Sequence, residues 1–154
     1  MKLAEALIRR KALKENLDHL KLRLAKAARV QEGDTPPERP QDLLAAVEAD
    51  LQELQALIIR INRGNLQATL PDGTTLMEGI ARRDILKLRR GILEALASSA
   101  QPTHDRYTRT EIKYISTVNV AEIRKEVDRL SKAYRELDAA LQAVNWTAEI
   151  EGLL

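Results

Sequence analysis

The stretch VAEIRKEVDRLSKAYRELDAALQAV, residues 120–144, decides the fold. Its apolar side chains, Val120, Ile123, Val127, Leu130, Tyr134, Leu137, Leu141 and Val144, fall at alternating steps of three and four. On a helix such steps draw one stripe along one face, the seam of a heptad repeat. Five acids and five bases between Glu122 and Asp138 take the other faces, and Asp128 stands four residues before Lys132, the order that supports a helix. Asn119 followed by Glu122 is a capping-box pattern that opens the segment.

The same rhythm recurs upstream. Thr75 and Glu78 form a second capping box before a third helix ending near Ser99, with Met77, Ala81, Ile85, Leu88, Ile92 and Leu96 expected inside. A second helix, opened by Pro40 and ending near Gln67, carries Leu44, Val47, Leu51, Leu54, Ile58, Ile61, Asn65 and Ala68, with Asn65 polar on the seam and Gly64 weakening the last turn. The first helix, residues 2–28, places Leu3, Ala6, Arg10, Leu13, Leu17, Leu20, Leu24 and Ala27 on one stripe. Gly33, Pro36, Pro37 and Pro40 mark the loop between the first two helices. The spacing predicts an all-α chain, an antiparallel bundle of four long helices with heptad-like seams and a single domain over residues 1–154. A small β element is expected at each end. One is a tight turn at Asp72-Gly73; the other is a short strand over residues 111–118 pairing with residues 30–32.

Composition narrows the function classes. The chain of 154 residues has no cysteine, which removes disulfides, thiolate nucleophiles and zinc–sulfur sites and suits a reducing cytoplasm. No apolar run approaches the ~20 residues that span a bilayer, and nothing near the N-terminus reads as a signal peptide. Phenylalanine is absent, so the core must be aliphatic. The net charge of +2 hides an asymmetry: residues 1–29 hold nine bases against three acids, whereas residues 41–57 hold four acids and no base. Antiparallel neighbours of opposite sign read as mutual partners in one hairpin.

No catalytic or metal-binding constellation stands out, and no cofactor is implied. The two histidines, His19 and His104, lack the Glu-x-x-His spacing of a di-iron bundle, and Ser98, Ser99, Ser116 and Ser131 have no nucleophile-elbow context. The six glycines are scattered, so no phosphate loop forms. The candidate ligand-binding residues are Asn62, Arg63, Asn65, Arg82, Arg83 and Asp84, on helix ends flanking the tight turn. They read either as a self-satisfied polar network or as an anion or carboxylate site at the start of the third helix. A second polar group, Asp105, Arg106, Tyr107, Arg109, Glu111 and Lys113, reads as an ion-paired loop, with nucleic-acid stacking as the alternative. Apolar residues in excess of the seams, Leu22, Leu43, Leu57, Ile59, Leu86 and Leu93, favour a structural or protein-interaction role through self-association, as a dimer or larger homo-oligomer. The alternative is a binding module for an anionic ligand, nucleic acid or an acidic membrane surface, built on the basic first helix and residues 82–90.

Six segments carry a family resemblance: KLAEAL (2–7), ARVQEG (28–33), IRINRGN (59–65), DGTTLMEGIARRD (72–84), DRYTRTEIK (105–113) and NWT (145–147). In order and spacing the chain resembles a family of small bacterial proteins often labelled septicolysin. The resemblance implies an all-α fold and brings no activity or functional residue with it.

Overall fold

The computed structural model describes residues 1–101 and 114–150. The heptad segments form four helices, α1 (Leu3–Ala27), α2 (Pro40–Gln67), α3 (Leu76–Ser99) and α4 (Val120–Thr147). The chain is all-α, and the described residues contain no strand. Nor is any described helix long and apolar enough to cross a membrane.

Each boundary has a local cause. Pro40 supplies the first residue of α2, where its missing N–H costs no hydrogen bond. Thr75 Oγ1 accepts from Glu78 N at 3.2 Å while Glu78 Oε2 accepts from Thr75 N at 2.8 Å, completing the capping box of α3. Asn119 Oδ1 caps α4 by accepting from Glu122 N at 3.1 Å. The Glu122 carboxylate lies 3.4 Å from Lys125 Nζ, so this helix shows one arm of the box.

The chain divides into two compact units, Met1–Thr69 with Gln142–Leu154, and Leu70–Leu141. In the first unit α1 and α2 run antiparallel, as two cross-helix pairs show, with a third pair tying α1 to the loop before α2. Arg9 forks onto Glu53 at 2.6 and 2.7 Å, Asn16 donates to Asp50 at 2.7 Å, and Arg23 forks onto Glu38. Of the opposite charges expected to pair across the hairpin, Arg9 and Glu53 do so directly. They tune pairing on the surface, while the core is aliphatic, with Leu20, Ala27 and Leu43 buried and Leu24 and Val47 packed against them. A short clasp closes the unit: Leu3 N donates to Ala148 O and Ile150 N to Met1 O, both at 2.9 Å, so Lys2 and Glu149 form an isolated antiparallel bridge.

The second unit opens on the turn expected at Asp72-Gly73. Gly73 N donates to Leu70 O at 2.9 Å and Leu70 N to Thr74 O at 2.8 Å, with Gly73 at φ +84°. The positive φ at the third loop position is why glycine sits there. Helices α3 and α4 run antiparallel, since Arg83 bonds Asp138 and the Arg90 guanidinium lies 5.6 Å from the Tyr134 ring centre. The second expected β element is absent from the described part of its sequence: residues 114–118 and 30–32 are irregular, and residues 111–113 lie outside the described residues. The bridge at Lys2 and Glu149 was not signalled by any local strand pattern.

Candidate functional site

Burial separates two kinds of helix. Every seam residue expected on α1 and α4 is buried or half-buried, including Arg10. On α2 and α3 the inward register differs. The α2 face turned inward is Leu43, Val47, Asp50, Leu54, Leu57, Ile61 and Gly64, so the set is shifted by one residue wherever Leu44, Leu51 and Ile58 were expected. Those three are exposed. Leu43 and Leu57, read as surplus, are core; Leu22 and Ile59 are exposed, and Leu86 and Leu93 are half-buried.

Helix α3 departs furthest. Its inward face repeats every seven residues as Leu76, Arg83, Arg90 and Ala97, with Gly79, Leu86 and Leu93 between. Two arginines therefore stand where the sequence pattern places leucine and isoleucine. The expected seam faces solvent: Ile85 is 53% exposed, Leu88 62% and Ile92 68%, with Met77, Ala81 and Leu96 exposed beside them. A shallow groove along this face is lined by Asp84, Lys87, Leu88, Gly91, Ile92 and Ala95. Helix α3 is thus apolar on two opposite sides, and the seam unbroken by a charged residue is the outer one.

The inward arginines are held by partners. Arg83 Nη1 donates to Asp138 Oδ1 at 3.1 Å, while its Nε and Nη2 donate to Asp84 Oδ1 at 3.2 and 3.1 Å. Partial burial works to lower the Arg83 pKa, but the bonds to the two carboxylates outweigh it and the group ends above its ordinary value. Arg90 lies over Tyr134 with its Nε buried and without a hydrogen-bond acceptor among the described residues; Glu94 Oε1 lies 3.7 Å from that atom. Cation–π attraction and a long ion pair hold this guanidinium.

Of the candidate ligand-binding residues, Arg83 and Asp84 touch, and Arg82 turns away to Asp72 at 3.1 Å. Asp72 Oδ1 also accepts from the Thr74 hydroxyl at 2.6 Å and from Thr74 N at 3.0 Å. The Thr74 bonds, hydroxyl first, and then Arg82 lower the Asp72 carboxyl to about 2. All three α3 candidates therefore take part in ion pairs that stabilise the turn and the α3–α4 seam. In the first unit, Asn62 and Arg63 are exposed and Asn65 is half-buried. Arg63 lines a small hollow with Arg60, Gly64, Gln67 and Ile150. Gly64 is there because Ile150 covers it: a Cβ at this position would lie 2.5 Å from Ile150 Cγ2. Sequence reasoning took Gly64 as a weak last turn and missed this close approach, whose partner lies 86 residues away. His19 is exposed on α1, whereas His104 and the Asp105–Lys113 group lie outside the described residues.

A family model matches residues 10–150. The chain belongs to DUF6847, a family of unknown function. The resemblance to the septicolysin-labelled family is thereby overturned, because neither this family model nor the solved structure below points to it. The segments that carried it are poor discriminators: KLAEAL suits many amphipathic helices, and DGTTLMEG is a tight turn followed by a capping box. This DUF6847 chain is also similar to a functionally unknown conserved protein from Corynebacterium diphtheriae with a crystal structure. The two are 38% identical, with a TM-score of 0.90 over 98% of this chain and 99% of the other. No curated protein matches the chain.

Proposed function

We propose that this DUF6847 protein has a structural or protein-interaction role and acts through self-association, in the cytoplasm. One observation carries the reading: the best aliphatic seam of α3 is turned to solvent, while the seam used inside the unit contains Arg83 and Arg90. Burying one isoleucine or leucine side chain is worth about 1.5–3 kcal/mol. A helix that exposes its stronger seam leaves that gain to an outside partner, and contiguous exposed apolar surface marks interaction sites. The basic segments lend less support to an anionic ligand. Lys2, Arg9, Lys11 and Arg23 pair with Glu149, Glu53, Glu15 and Glu38, and Arg82, Arg83 and Arg90 are paired as described.

Sedimentation equilibrium at micromolar concentration tests the reading. Wild type is expected to exceed the 17.3 kDa of one chain, and Ile92→Glu to run as a monomer with unchanged helical circular dichroism. A wild-type protein that stays at 17.3 kDa across the micromolar range overturns it.

A further inference from the structure

We infer that the outer face of α3 docks on the same face of a second copy with the two helices parallel. The inference rests on the self-association proposed above and adds the surface, the partner and the orientation.

The outer face fits a heptad seam. Ile85 and Ile92 stand seven apart in one row, and Ala81, Leu88 and Ala95 form the row beside it. All five are exposed. With the isoleucines at a and Leu88 at d, this is the pattern that favours two parallel strands, because a β-branched side chain at a and leucine at d pack well in that geometry. The small residues Ala81 and Ala95 let the two backbones approach near the ends of the seam. Gly91 adds a second opening, since a Cβ there would have no atom within 4 Å.

Charge fixes the direction. One flank of the seam carries Arg82 and Arg89 at e, and the other carries Asp84 and Gly91 at g. In a parallel pair each g residue faces the e residue five positions later on the partner, so Asp84 of one copy meets Arg89 of the other, twice by symmetry. An antiparallel pair places like flanks together, setting arginine against arginine and leaving Asp84 against the glycine flank. Opposite charges in the first arrangement and like charges in the second make the parallel one the lower in energy. Asp84 is exposed, and its Oδ1 is the oxygen that bonds Arg83, which leaves Oδ2 for a partner.

The absence of cysteine makes the experiment clean. Single variants Ile85→Cys, Leu88→Cys and Ile92→Cys are oxidised separately, and Leu88→Cys is also oxidised in a mixture with each of the other two, with Leu22→Cys on the exposed side of α1 as control. Parallel docking brings each cysteine to its own counterpart, so each seam variant alone is expected to give a disulfide-linked dimer and the control none. In the second arm, Asp84→Arg is expected to weaken the dimer roughly tenfold, and Asp84→Arg with Arg89→Asp to restore it. Links that form only in a mixture of Leu88→Cys with Ile85→Cys or with Ile92→Cys overturn the parallel orientation. A doubled mass without seam links in any sample removes α3 from the interface, yet leaves self-association standing. Wild type that stays monomeric overturns both.

Discussion

Asp72 shows how much a single exposed side chain can fix. Its carboxylate gathers the Thr74 hydroxyl, the Thr74 N–H and Arg82, which is why its pKa falls from 3.8 to about 2. A carboxyl with a depressed folded-state pKa stabilises the fold at pH above its unfolded value, and that contribution disappears as pH falls through the folded value. The Asp72 carbon resonance is therefore expected to titrate near pH 2. The stability difference between wild type and Asp72→Asn is expected to be constant above about pH 5 and to shrink between about pH 4 and 2. Two glycines make a paired test. Gly64→Ala sets a methyl against the stiff branched end of Ile150 and is expected to cost about 1–3 kcal/mol in urea unfolding, less the helix-propensity gain. Gly91→Ala meets open space, so in the monomeric Ile92→Glu background it is expected to gain up to about 1 kcal/mol.

At the scale of the element, the seams of α4 and α1 were legible, since every residue expected on them lies buried or half-buried, although α1 also buries Ala4 and exposes Ile8 and Leu22. The ends of α2 and α3 were legible too, since Pro40 and the Thr75–Glu78 box act locally. The inward faces of these two helices were not. Each carries two overlapping registers, and periodicity ranks them by hydrophobicity alone. The protein turns the more polar one inward, with half-buried Asp50 answered by Asn16 and half-buried Arg83 by Asp138. Those partners are distant in sequence, so a reading along the chain cannot see them. The candidate site was half legible for the same reason: the turn and caps were visible, the outer seam of α3 was not. Because both sides of α3 are apolar, the inward arginines are expected to select the side turned to α4. Replacing both, as Arg83→Leu with Arg90→Leu, is expected to preserve helical content while broadening the urea transition, with a lower m-value and more than one species by ion mobility. A variant with a single sharp transition of unchanged slope would mean that these side chains do not select the register.

For the whole molecule, the decisive feature is that the first unit is discontinuous. Helix α4 belongs to the second unit through Leu141 and to the first from Gln142 onward. Its end brings Ala148, Glu149 and Ile150 onto the start of α1 and the last turns of α2. Ile150 is 7% exposed, and Ile150→Ala is expected to cost about 2–5 kcal/mol, with the earliest hydrogen-exchange loss in the last turns of α2. Leu130→Ala in the second unit is expected to cost a similar amount. Its exchange loss should begin in α3 instead.

The clasp between Met1 and Ile150 sets a timetable for a chain emerging from the ribosome. Helices α1 and α2 leave the tunnel before α3 and α4 and can zip together within microseconds to milliseconds, far faster than the ~5–20 residues added each second. The recess over Gly64 nevertheless stays roofless until Ile150 has been synthesised, so α1 and α2, made before α3 and α4, are completed only after them.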